Sequence, residues 1–162
     1  MLRLKGSLAM SLGLFAQGKL PQAVHAYKRA IQLQPNFPEA YNNLGNALAE
    51  LGDGPGAIAA FENAINRAPP PGLPELFLNL SQALSAVTDR DKRLHCAEEA
   101  ARRFSDHQAV RIELGLAQAA AGQRDLAEQT LRSAATVEDH FGEARLELGL
   151  LLENDNRLDE LD

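Results

Sequence analysis

Four histidines, one cysteine and several paired carboxylates are the residues that could hold a metal or move a proton. His25, His95, His107 and His140 are scattered along the chain, and His25 and His95 occupy equivalent outer sites, so they should not converge. His95 and Cys96 are neighbours that point to different faces of a helix and cannot chelate one ion together. Glu98 and Glu99 read as ordinary helix-surface carboxylates. No nucleophile elbow, P-loop or dinucleotide fingerprint occurs, and Gly52-Asp-Gly-Pro-Gly56 reads as a turn between helices, not a phosphate cradle. No catalytic residue, metal or cofactor is therefore expected. What remains is hydrogen-bonding chemistry, carried by amides such as Asn43 and Asn79, each able to donate and accept.

The elements that would position such amides are set by a period. Gly18, Ala23, Tyr27, Ala30 and Pro35 recur 34 residues later as Gly52, Ala57, Phe61, Ala64 and Pro69. Arg111, Glu113, Leu114 and Gly115 recur as Arg145, Glu147, Leu148 and Gly149. A period of this size indicates a solenoid, in which each repeat buries its apolar face only against its neighbours. The product is an extended surface suited to recognition.

Composition agrees. The chain has 162 residues, 45% of them apolar but only 5% aromatic, with no Trp. Its core must be built from Leu and Ala, which suits closely packed helices. A net charge of −6 argues against a phosphate-backbone ligand, so no nucleic-acid partner is expected. The single cysteine, Cys96, demands no oxidising compartment, and a cytoplasmic location is expected. Residues 1–16 are basic, then apolar, then small, in the manner of a signal peptide. The repeat register explains them better, since Met10 and Leu14 stand 34 residues before Leu44 and Leu48. No segment is long enough to span a bilayer.

The clearest unit runs from Pro38 to Pro71. Tyr41, Leu44, Gly45 and Leu48 fall at helical spacing, Gly52 stops that helix, and Pro55 opens a second one carrying Ala57, Phe61, Ala64 and Ile65. The predicted architecture is all-α, about nine helices in antiparallel pairs. It forms one domain over 1–162, with copies at about 4–37, 38–71, 74–107, 108–141 and a partial 142–162. Two extra residues fall in Pro69-Pro-Pro-Gly-Leu-Pro74, predicting a stiff polyproline-like connector rather than a domain boundary.

Tyr41-Asn-Asn-Leu44-Gly45-Asn-Ala-Leu48, followed by Gly52, Ala57, Phe61, Ala64 and Pro69, resembles the tetratricopeptide repeat (TPR). The resemblance covers essentially the whole chain and implies a right-handed superhelix. It extends to the arrays of O-linked N-acetylglucosamine transferases and of other bacterial TPR proteins. Gly45, Gly115 and Gly149 would keep first helices small where another helix approaches, with Tyr27, Phe61 and Leu131 filling the space between. The third copy departs, with Arg93 in the place of Ala57, Thr88 replacing the turn glycine and Ala97 the aromatic. Its second helix is expected to pack loosely or slip, with Leu94, Ala101 and Phe104 as an alternative apolar face.

The resemblance implies that first helices line an inner groove that binds peptides. Three columns remain once the packing positions are removed: Leu8, Asn42, Leu78, Ile112, Leu146; then Leu12, Asn46, Gln82, Leu116, Leu150; then Ala9, Asn43, Asn79, Glu113, Glu147. The candidate groove residues are Leu8, Leu12, Asn42, Asn43, Asn46, Leu78, Asn79, Gln82, Ile112 and Leu116. Asn43 and Asn79 resemble the asparagine ladder by which those transferases hold an extended peptide. The alternative is that they are solvated polar residues on an exposed face. A basic clamp for a C-terminal carboxylate is not supported, because Leu8, Leu12, Asn42 and Asn46 hold its positions. Glutamates such as Glu113 and Glu147 make the groove look acidic, favouring an apolar or mildly basic segment.

The leading functional expectation is a non-catalytic interaction scaffold whose partner is a protein, peptide or helix, with no membrane. Alternatives are a substrate-recruiting segment of a larger glycosyl- or sulfotransferase, or a self-assembly module pairing through terminal helices. The sequence stops at Asp162 inside a repeat, predicting a fragment or an end covered by something else, with Leu148, Leu151 and Leu152 poorly covered.

Overall fold

The computed structural model describes residues 2–135 and 142–154; within helices, the side chains of residues 2–8, 143 and 154 are outside the described set. Among the described residues there are nine helices and no strand. They are α1 (Leu2–Ala16), α2 (Leu20–Leu33), α3 (Pro38–Glu50), α4 (Gly54–Arg67), α5 (Pro74–Ala86), α6 (Arg90–Arg103), α7 (Gln108–Ala120), α8 (Arg124–Ala135) and α9 (Glu143–Asn154). The chain divides into two compact units, Met1–Thr88 and Asp89–Asp162. The proline run thus lies inside the first unit, with α4 packed on α5 across it.

Local chemistry explains the helix ends. Proline occupies the first turn of α2, α3, α4 and α5, where its missing N–H leaves no bond unmade. Asp53 caps α4 by accepting from the Gly56 amide at 3.0 Å, so the glycine-rich turn spends that N–H on its own helix. Asp89 caps α6 in the same way through the Lys92 amide. Between paired helices the chain turns through the left-handed region at Gly18, Gly52 and Gly122, and in the third copy at Thr88, with φ 59°. A β-branched residue there carries a steric cost of about 1–2 kcal/mol that glycine avoids, partly offset by the freedom glycine gains on unfolding. Thr88→Gly is therefore expected to stabilise the protein by about 1 kcal/mol, read as a rise of about 3 °C in the thermal midpoint.

The connector at the proline run is a turn, not an extended polyproline segment. The Gly72 N–H donates to the Pro69 carbonyl at 2.8 Å, around a cis Pro70–Pro71 bond. Folding the surplus residues back on themselves lets α5 resume the apolar register, with Leu76, Phe77 and Leu80 buried.

In the first unit, α2 packs on α1 and α3, and α4 packs on α3 and α5. The second helices bury matching faces, Ala23, Tyr27, Ala30 and then Ala57, Ala60, Phe61, Ala64, with Ile65 half-buried. Burial pushes the Tyr27 phenol above its ordinary pKa by desolvating the phenolate. Gly45 marks a close approach of paired helices: a methyl built on it would lie 2.5 Å from the Phe61 ring. Arg67 ties consecutive pairs together. Its Nε donates to the Pro35 carbonyl at 3.0 Å, and its guanidinium lies 4.6 Å from the centre of the Tyr41 ring.

In the second unit α7 packs on α6, α8 and α9. The third copy keeps its register. Arg93, Cys96, Ala97 and Ala100 stand where Ala57, Ala60, Phe61 and Ala64 stand, and Cys96, Ala97 and Ala100 are buried. Leu94, Ala101 and Phe104 are only half-buried and do not form a substitute face. Arg93, in the place of an alanine, makes an ion pair: its Nε lies 2.8 Å from Glu113 Oε1 on α7. The expected poor cover on α9 is also corrected. Leu148, Leu151 and Leu152 are buried in a cluster with Ala127, Leu131 and Ala134. Leu146 and Leu150 are the exposed leucines of that helix. The expected second helix of the partial fifth copy, and His140, lie outside the described residues.

Candidate binding groove

The first helices α1, α3 and α5 line a groove of about 540 Å³ in the first unit. Helical spacing brings its walls together: Asn46, Ala49 and Glu50 come from α3, and Asn79, Gln82, Ala83 and Ala86 from α5. Phe15 of α1 closes one end, and Phe61 reaches the groove from α4. The Gly45 contact explains that reach, since only a residue without a side chain lets the Phe61 ring sit so close to α3. Glu50 is the one charged residue among those lining it.

Of the sequence candidates, Asn46, Asn79 and Gln82 line this groove. Asn42 adjoins it, because Asn79 Nδ2 donates to Asn42 Oδ1 at 3.0 Å. That bond joins consecutive first helices, so Asn79, expected with Asn43 as one of two ladder amides, also bridges to Asn42. One N–H of Asn79 is spent on it, leaving a second N–H and the carbonyl oxygen for further bonds. Asn43 and Leu78 are half-buried and not among the lining residues, and Leu12 is exposed on α1. Leu8 lies on α1, but its side chain is outside the described residues.

Two candidates belong elsewhere. Ile112 is only 7% exposed and sits in the core cluster of the second unit, and Leu116 packs against that cluster. The position equivalent to Asn42 faces the next first helix in both units. An amide there makes the Asn79 bridge, whereas isoleucine joins the apolar contact with α9. Glu113, read as part of an acidic groove, is paired with Arg93.

Phe15, Ala49, Ala83 and Ala86 went unread by the sequence columns, while Glu50 is one of the first-helix glutamates read as making the groove acidic. Their signal was present: 46, 49 and 50, with 79, 82, 83 and 86, trace one face of each helix at spacings of three and four. Among the described residues no three His, Cys, Asp or Glu side chains gather where they could hold a metal ion. No described helix is long and apolar enough to cross a membrane.

Comparison with known proteins follows the same pattern. Residues 14–52 match a family model described as a TPR repeat, and residues 38–71 match one described as a tetratricopeptide repeat. No curated protein matches the sequence significantly. Among solved structures, MamA from Desulfovibrio magneticus RS-1 superposes with a TM-score of 0.83 at 18% identity, over 98% of this chain and 88% of that one. A thermophilic TPR protein of Thermus thermophilus superposes at 0.71 with 26% identity, over 98% and 86%. YrrB, described as a TPR protein with an unusual peptide-binding site, superposes at 0.75 with 18% identity, over 96% and 79%. Residues 14–71 are thus matched as tetratricopeptide repeats, and the chain as a whole shares the all-α fold of these solved structures.

Proposed function

We propose that this chain is a non-catalytic interaction module whose first-unit groove holds an extended peptide. The observation that carries this is the convergence of three amides from two helices, Asn46, Asn79 and Gln82, over a floor containing Phe61 and Ala83. Amides meet a peptide's N–H and C=O groups equally well and give affinity with little sequence preference. Apolar ligand side chains fit against Phe15, Ala49 and Ala86, and Glu50 favours a Lys or Arg beside them. Protein or peptide partners also suit the solenoid, whose repeats form an extended surface.

The test is selection of a displayed random-peptide library on the wild-type protein. Selected peptides are expected to be apolar with at least one basic residue. Their affinity is expected to fall at least tenfold for the triple variant Asn46→Ala, Asn79→Ala, Gln82→Ala, with helicity by circular dichroism unchanged. Equal binding to the folded triple variant contradicts the reading.

A further inference from the structure

Three helices end at one mouth of the first-unit groove. Phe15 lies in the last turn of α1, Ala49 and Glu50 close α3, and Ala83 and Ala86 lie in the last turn of α5. All five line the groove. A helix C-terminus carries roughly half a unit of negative charge, on carbonyls that the helix itself leaves unpaired. A basic residue in the last turn offsets that charge. Three of the four second helices are built this way: α4 with Arg67, α6 with Arg102 and Arg103, and α8 with Arg132. None of α1, α3 and α5 carries such a residue. Glu50 adds a full negative charge at the same mouth, is exposed, and makes no ion pair among the described residues. Lys19, in the turn after α1, is exposed and does not line the groove.

The mouth thus gathers negative charge that this unit leaves uncompensated, and a ligand that complements it brings a cation. We propose that the mouth is a subsite for the guanidinium of an arginine side chain on the bound peptide. The inference rests on the peptide-binding reading of the groove and names the side chain that fixes the peptide's place in it. A carboxylate takes a guanidinium through two parallel N–H···O bonds, a geometry that an ammonium cannot reproduce. Phe15 supplies a ring at the same mouth on which a planar cation can stack. The first unit already uses that contact, with the Arg67 guanidinium 4.6 Å from the centre of the Tyr41 ring. Ala49, Ala83 and Ala86 leave width for the flat group between α3 and α5. Two of the five guanidinium donors go to Glu50, and the other three suit the carbonyl oxygens of the helix ends.

The probe is the tripeptide acetyl-Ala-Arg-Ala-amide, which carries the guanidinium on a minimal backbone. It is titrated into the isotopically labelled full chain at low salt, and backbone amide shifts are followed. Saturable shifts are expected at Phe15, Glu50 and Ala86. The citrulline counterpart, a neutral isostere, is expected to bind at least tenfold more weakly, and the lysine counterpart at least threefold more weakly. Glu50→Gln changes an exposed side chain without altering its shape, so the fold is retained, and is expected to weaken arginine binding at least fivefold. Absence of saturable shifts at those residues, or binding indifferent to Glu50→Gln, overturns the proposal. Citrulline or lysine binding as tightly as arginine does so too. The peptide reading fails separately. Library peptides indifferent to the triple amide variant, with the tripeptide still captured at Glu50, would remove the extended-peptide groove and leave the arginine subsite standing.

Discussion

Gly45→Val is expected to destabilise the first unit by about 2–3 kcal/mol, the largest effect of any single methylene-scale change at the groove. Even the first added carbon would sit 2.5–2.8 Å from three atoms of the Phe61 ring. That ring is 2% exposed and enclosed by its own helix and its neighbours, so it cannot swing aside without opening the core. Removing glycine from a helix interior returns only a few tenths of a kcal/mol when valine replaces it, so the clash decides the sign. Gly115→Val is expected to cost less. The obstacle there is the Leu131 side chain, at 2.7–2.8 Å, and leucine has other rotamers to adopt. Urea denaturation of both variants checks the order. Gly45→Val is also expected to lower peptide affinity, because displacing Phe61 deforms the groove floor.

Breaking the Arg93–Glu113 pair is expected to cost about 2–4 kcal/mol from either side. The two side chains are 13% and 17% exposed, so removing one takes a close opposite charge from the other in a poorly solvated site. Arg93→Ala restores the small residue found at positions 23, 57 and 127, and on packing grounds alone would be neutral or favourable. Loss of the buried ion pair outweighs that gain. The double variant Arg93→Ala, Glu113→Ala is expected to be less destabilised than the sum of the singles by about 1.5–3 kcal/mol, measured as a double-mutant cycle. Strict additivity would show that the pair contributes nothing to holding the third copy in register.

Much of the fold was legible because its signals are local and repeated. Prolines at helix starts, left-handed turns at 18, 52 and 122, and alanines on matching faces each declare the same 34-residue unit. Thr88 and Arg93 disguised the third copy. The partner of Arg93 is a carboxylate twenty positions away, and no local pattern announces a tertiary ion pair. The groove was legible in part. Asn46, Asn79 and Gln82 were read from the columns that packing left free. Ile112 and Leu116 came from the same subtraction, which assumed that equivalent positions share one environment, and both pack in or against the core of the second unit. A position facing the next first helix holds a bridging amide as Asn42 and an apolar core contact as Ile112. Only the neighbour across the seam decides which. Phe15 escaped because its contribution depends on where α1 ends relative to α3 and α5, a matter of packing.

The most direct measurement is an amide chemical-shift map of the protein titrated with one library-selected peptide. The account predicts that the largest changes fall on Phe15, Asn46, Glu50, Asn79 and Gln82, with the side-chain amide signals of Asn46 and Gln82 shifting as saturation is approached. Changes confined to the outer faces of α2 and α4, with those residues silent, would contradict it.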